Sequence, residues 1–234
     1  MAILFCAAGF FVAVAGAADN AAQNSESADA PVYKPGETWT YRAVEKLPGG
    51  SSKSNLLSGD YELSIGQGGR MRAFAVAQER RFLVAQPRNL IYMLPTAQVI
   101  RQSRQYFYFP MAVGKSWAAK GNSKTTADAE INVTGVETVT TTAGSFQAFR
   151  IERQLYIGKK LKKQYFTEIY YYSPETRSVV KYHFQHERYD FMGAPEVATM
   201  DIELIQLPSS KLPRNGNSTE PQLQLPRSEN SPSP

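Results

Sequence analysis

An arginine placed in an apolar row is the first sign of chemistry in this chain. Arg153 shares the parity of Ile151 and Leu155 in an alternating run, and the next run carries Glu168 among Phe166, Tyr170 and Tyr172. A turn through Lys159-Lys160-Leu161-Lys162 sets Arg153 directly opposite Glu168 in an antiparallel pair. Two readings follow. The pair grips the head group of a ligand inside a cavity, or it is a buried ion pair whose members stay together because an unpaired buried charge is strongly destabilising. The aromatic run Tyr165–Tyr172 has rings on both faces. It suits a central strand covered on both sides, or the wall of a groove for an apolar or sugar ligand. Trp39 and Trp117, the only two tryptophans, each follow a Gly by three residues and open a strand. They form either a paired aromatic site or two similar strand starts whose rings pack on the core.

Other chemistry is sparse. His183 and His186 are the only histidines. Their spacing suits metal ligands on a helix, but on a strand it points them to opposite faces, so no metal site is expected. Lys159, Lys160, Lys162 and Lys163 crowd one turn. They can dock on an anionic membrane surface, or keep a solvated hairpin tip from aggregating. No nucleophile elbow, phosphate loop or zinc-protease motif occurs, so no catalytic residue and no cofactor are assigned. Gly66-Gln67-Gly68-Gly69 lies between two strands and reads as a hairpin turn.

The elements that must position these residues are strands. Phe149, Ile151, Leu155 and Ile157 alternate with Arg150, Glu152 and Gln154; Val180, Tyr182 and Phe184 alternate with Lys181, His183 and Gln185. Ala129–Val133 and Met200–Leu204 show the same period of two. Thr38–Lys46, Ser58–Ile65, Met71–Gln78 and Arg81–Ala85 are further strands. Connections are too short for crossover helices, so neighbours pair antiparallel. Residues 89–104 are ambiguous: Leu90, Ile91, Met93 and Leu94 fit a strand, and Thr96–Arg104 fits a short helix after Pro95.

The chain has 234 residues, a net charge of +5, 42% hydrophobic and 12% aromatic residues. Residues 1–18 read as a signal peptide: an apolar run ends in Ala15-Gly16-Ala17, the small-x-small pattern cleaved on export. No Lys or Arg precedes that run, and a retained membrane anchor is the alternative. Residues 19–30 read as a flexible leader, and 208–234, rich in Pro, Ser, Asn and Gln, as a disordered tail. One β-rich domain of roughly 175 residues, 31–207, lies between them. Cys6, the sole cysteine, lies in the signal segment with Phe5 before it. That placement disfavours lipidation and leaves the mature chain without thiols. The mild, scattered positive charge gives no nucleic-acid signature.

The run Phe109-Pro110-Met111-Ala112-Val113-Gly114-Lys115-Ser116-Trp117 precedes Gly135-Val136-Glu137-Thr138-Val139. Then come Ala143-Gly144-Ser145-Phe146 and Tyr172-Ser173-Pro174-Glu175. This order resembles exported bacterial domain-of-unknown-function proteins with a V-G-x-x-W start, a G-x-E-x-V…A-G-x-F hairpin and a Y-S-P-E turn. The resemblance covers residues 106–182 and, loosely, Pro35-Gly36-Glu37-Thr38-Trp39. It implies an all-β fold: a strongly curved antiparallel sheet or incomplete barrel, with at most one short helix. It transfers no catalytic residues. The chain departs from the pattern at Thr140-Thr141-Thr142, and at Thr176-Arg177, where the family commonly has Gly. The expected function is a non-enzymatic periplasmic or secreted protein. It binds an apolar ligand, such as a lipid or another envelope component, through Arg153, Glu168, Tyr170, Tyr172, Trp39 and Trp117. An envelope assembly module without a small-molecule ligand comes second, and a hydrolase-type enzyme third.

Overall fold

The computed structural model describes residues 27–48, 58–77, 80–83, 89–100, 105–119, 129–159, 162–189 and 196–208. Its strands are β1 (Ser27–Ala28), β2 (Thr38–Lys46), β3 (Gly59–Ile65), β4 (Met71–Ala77), β5 (Arg80–Leu83) and β6 (Met111–Ala112). They continue with β7 (Ser116–Ala119), β8 (Ala129–Thr141), β9 (Gly144–Lys159), β10 (Lys162–Ser173), β11 (Ser178–Tyr189) and β12 (Glu196–Gln206). Ten of them form one antiparallel sheet in the order β5-β4-β3-β2-β12-β11-β10-β9-β8-β7, and β1 pairs with β6 apart from it. The segments expected as the signal peptide and as most of the tail lie outside the described residues. No described helix is long and apolar enough to cross a membrane.

Alternation sets which side of each strand is buried. Trp39, Tyr41 and Ala43 on β2 are buried, as are Tyr61, Leu63 and Ile65 on β3 and Met200, Ile202 and Leu204 on β12. Their odd or even neighbours face out. The sheet curls hard over this apolar face. The turn joining β8 to β9 is separated from β12 by β10 and β11 in strand order, so a flat sheet would hold them at least about 14 Å apart. Yet the Ala143 amide donates to the Leu204 carbonyl at 3.3 Å, and the Thr142 hydroxyl donates to Glu203 Oε1 at 3.0 Å. The expected curved, unclosed sheet is what forms.

Bulges accommodate the bend. On β11 the register shifts so that Tyr172 faces Val179 and Tyr171 faces Lys181. The extra residue, Val180, leaves Val179 and Val180 both buried, and the Val179 amide turns to donate to the Met93 carbonyl at 2.8 Å. On β8 the shift between Val133 and Gly135 leaves Thr134 as the extra residue, and its hydroxyl donates to the Arg150 carbonyl at 3.3 Å.

In the ambiguous segment after residue 88 no strand forms at residues 90–94, while a short helix does follow Pro95. The segment forms a 3-10 turn at Leu90–Tyr92 and one turn of helix, α1 (Ala97–Ile100). Residues 101–104 lie outside the described residues. Leu90, Tyr92, Met93, Leu94, Val99, Tyr106 and Phe107 are all buried in the core shared with the sheet. A strand there would expose half of these side chains; a compact plug buries them all.

The N-terminal boundary also differs from expectation. Ser27 pairs with Ala112 and Ala28 with Met111, and Ala28 is buried, so the expected leader is already part of the fold by residue 27. The segment that follows is clamped to the β10–β11 turn. Arg177 meets Glu37 through both terminal nitrogens, Nη2–Oε1 at 2.7 Å and Nη1–Oε2 at 3.2 Å, and donates to the Val32 carbonyl at 2.7 Å. The Tyr33 hydroxyl donates to the Arg177 carbonyl at 2.6 Å, and Trp39 Nε1 to the Thr176 carbonyl at 3.0 Å. Arg177 holds φ 55°, a left-handed conformation that costs a non-glycine residue about 1–2 kcal/mol.

Burial opposes the Glu37 charge, but its bonds to Arg177 and the Lys34 amide outweigh this and hold its carboxyl below the usual range. The clamp therefore stabilises the fold above the unfolded carboxylate value and weakens as pH falls through the lower folded value. Melting temperatures at neutral pH should rank wild type, then Arg177→Gly, then Arg177→Ala. Glycine loses the ion pair but relieves the backbone; alanine loses the pair and keeps the strain. The gap between wild type and Glu37→Gln should shrink as pH falls below the ordinary glutamate value of about 4.3 and through the lower folded one. A gap that widens on acidification would contradict the assignment.

Candidate functional site

The concave face of β9, β10, β11 and β12 is built as three successive cross-strand rows. The innermost is Ile151, Tyr170, Tyr182 and Ile202; the next is Arg153, Glu168, Phe184 and Met200; the outermost is Leu155, Phe166, His186 and Ala198. Register alone makes these rows, because side chains two apart on a strand share a face. The β9–β10 ladder ends with Lys159 opposite Lys162. This even turn places Arg153 opposite Glu168, as the parity argument requires.

The inner row is sealed. Tyr170 and Tyr182 lie 4.8 Å apart by ring centroid, and Tyr92, Tyr106 and Phe107 from the plug stand edge-on to Tyr170 at 6.4, 6.5 and 5.5 Å. Tyr92 and Tyr106 stack at 3.8 Å. In the middle row, Arg153 Nη1 donates to Glu168 Oε2, with 7% and 5% of the two residues exposed. The Tyr182 hydroxyl donates to Glu168 Oε1 at 3.2 Å, and the guanidinium lies 4.8 Å over the Tyr106 ring. Both carboxylate oxygens are thus engaged, while buried Arg153 Nε has no partner.

Burial works against the Arg153 charge, but Glu168 beside it outweighs this and raises the pKa above its ordinary value. Burial, reinforced by the Glu168 charge, pushes the Tyr170 and Tyr182 hydroxyls well up, so both stay protonated. The Tyr170 hydroxyl sits beside Tyr182 without completing a hydrogen bond of full geometry.

The outer row is half open. Phe166 and His186 stack at 4.3 Å with 8° between planes, and Phe184 lies 6.3 Å from Phe166. These rings and Leu155 are partly exposed. Burial, then the nearby Arg188 charge, lowers the His186 pKa, and its Nε2 has no partner. The arrangement is an apolar, aromatic floor leading to a self-neutralised charge pair. Such a surface can hold an apolar group.

The remaining residues singled out from sequence lie elsewhere. Tyr172 packs among Phe107 and Phe109 at 6.4 and 5.4 Å. Trp39 is wholly buried near Tyr33, at 5.4 Å. Trp117, half-buried on β7, donates to the Gln105 carbonyl at 2.7 Å and lies 6.0 Å from Tyr108. The two tryptophans therefore make separate contacts. His183 turns away from His186, with Nδ1 2.7 Å from Asp201 Oδ1. Among the described residues no three His, Cys, Asp or Glu side chains gather as a metal site. Lys159, Lys162 and Lys163 sit at the β9–β10 end, and Lys160 lies outside the described residues. Sequence reasoning missed the role of Phe184 and His186 as floor residues, although their shared parity with Tyr182 carried the signal.

If the pair is a unit, breaking it should cost more than removing it. Arg153→Met should destabilise the protein by about 3–5 kcal/mol, whereas Arg153→Met with Glu168→Leu should recover most of that loss. Thermal melts followed by circular dichroism measure both; an additive double mutant would refute the coupling.

No family model and no curated protein matches the chain. Solved structures similar to it include a Bacteroides fragilis protein described as exported and of YmcC-like fold, at 16% identity and TM-score 0.32, covering 77% of this chain and 99% of that one. Another is a Parabacteroides distasonis protein described as a lipoprotein, at 14% identity and TM-score 0.29, covering 74% and 95%.

Proposed function

We propose that the chain is an exported, non-catalytic β protein that holds an apolar molecule of the cell envelope in the open mouth of its curled sheet. The observation that supports this is the gradient across the three rows. A sealed aromatic row is followed by a paired charge and then by a half-exposed row of Leu155, Phe166 and His186. Exposed apolar floor beside a filled core is the form that a ligand cleft takes. Export is argued from the apolar run that ends in Ala15-Gly16-Ala17. The Arg153–Glu168 pair then serves as the polar end of the mouth. It offers a neutral surface because each charge cancels the other.

A second reading is strand addition by an envelope partner. β7 pairs only with Ala129–Asn132 of the much longer β8. Gly114 and Lys115 take up the Val133 backbone; from Thr134 on, among the described residues, no strand covers the outer edge of β8, and a bare edge can template another strand.

Native mass spectrometry on protein purified from its own envelope separates the two. A lipid-sized extra mass on the monomer, lost in Phe166→Asp while the melting temperature holds, is the expected result. A clean apo mass for the wild type would sink the ligand reading, and a co-purifying chain would favour the second.

A further inference from the structure

A cleft lies on the opposite, outer face of the sheet, at the corner of β2, β3 and β4. Thr38 is the direct cross-strand partner of Ser64, and Ser64 of Arg72. These three alternate with the buried residues Trp39, Leu63 and Ala73, so they stand in one polar row facing outward. With Phe74 and the backbone around Gly36 and Gly66 they line a cleft of about 350 Å³.

Arg72 is the only charged side chain in that lining, and among the described residues it has neither a hydrogen-bond acceptor nor an ion-pair partner. The Ser64 hydroxyl is likewise unclaimed, and the Thr38 hydroxyl makes only a long 3.3 Å bond to the Gly36 carbonyl. Gly66 gives Arg72 its place, since a Cβ there would stand 3.3 Å from Arg72 Nε and 3.2 Å from the Arg70 carbonyl. Glu62, opposite Phe74 on the neighbouring row, is outside the lining and has a contact of its own.

We propose that this cleft binds an acidic sugar residue, with its carboxylate on Arg72, its ring against Phe74 and its hydroxyls on Ser64 and Thr38. A planar guanidinium without a partner matches a carboxylate through two parallel hydrogen bonds. Phe74 supplies one apolar wall, which suits the C–H face of a pyranose. The cleft is open to solvent on its other side, so the ligand must keep one polar face wet. An aromatic or aliphatic acid would leave that face apolar and exposed; a sugar does not. The volume is at the lower end for small-molecule sites, enough for one or two rings. This site is separate from the mouth on the concave face and does not depend on it.

The test is a titration of the full chain with D-glucuronate, read by backbone amide shifts at Gly66, Gln67 and Arg72, with D-glucose and inorganic phosphate run in parallel. Glucuronate should saturate, and the other two should bind about tenfold or more weakly. Arg72→Gln should abolish saturation with an unchanged melting temperature, because among the described residues Arg72 has no hydrogen-bond acceptor or ion-pair partner to lose. Gly66→Ala, which crowds Arg72 from behind, should weaken binding without touching the ligand. Failure of glucuronate to saturate, equal binding of glucose or phosphate, or wild-type binding by Arg72→Gln would each overturn the proposal.

Discussion

A guanidinium inside an apolar sheet face is tolerable only with a carboxylate held against it. That requirement fixes the register of β9 against β10. One residue of slip would send Arg153 and Glu168 to opposite faces, leaving a charge buried among Tyr106, Tyr170 and Ile151. The even turn after Lys159 is the local solution. Everything stacked on those two strands follows from it: Tyr182 reaches Glu168 only because β11 pairs in step with β10.

The second constraint is curvature. A strongly curled sheet has more inner surface than its own side chains fill, and this one recruits the connector between β5 and β6 as packing material. The link is specific. A bulge on β11 frees the Val179 amide, and the Met93 carbonyl takes it up. The same curl that brings Ala143 to Leu204 therefore depends on a segment with almost no regular structure. Among the described residues, the plug packs on Tyr170 and reaches Arg153 through Tyr106, while Phe166 and His186 beyond them stay partly exposed.

Strand content was legible because period-two patterning is local. β2 begins and ends where the alternation of Thr38–Lys46 predicts, and the Arg153–Glu168 encounter needed only parity and a turn length. The plug was not legible, because a run such as Leu90, Ile91, Met93, Leu94 reads alike whether it joins a ladder or fills a hollow. The β1–β6 pair was hidden too: two residues of Ser and Ala carry no pattern, and their order comes from Met111 and Ala112, far along the chain. The outer cleft row was invisible for a related reason. Thr38, Ser64 and Arg72 become neighbours only through two successive registers.

Arg177 occupies a left-handed turn position that glycine fills more cheaply, and its side chain closes the gap to Glu37, 140 residues earlier. The two positions are therefore coupled across the whole sheet. With arginine at 177, the strain of the turn is the cost of a cation delivered to Glu37. With glycine there the turn would relax, and Glu37, with only 16% of its side chain exposed, would keep its charge and lose its cation.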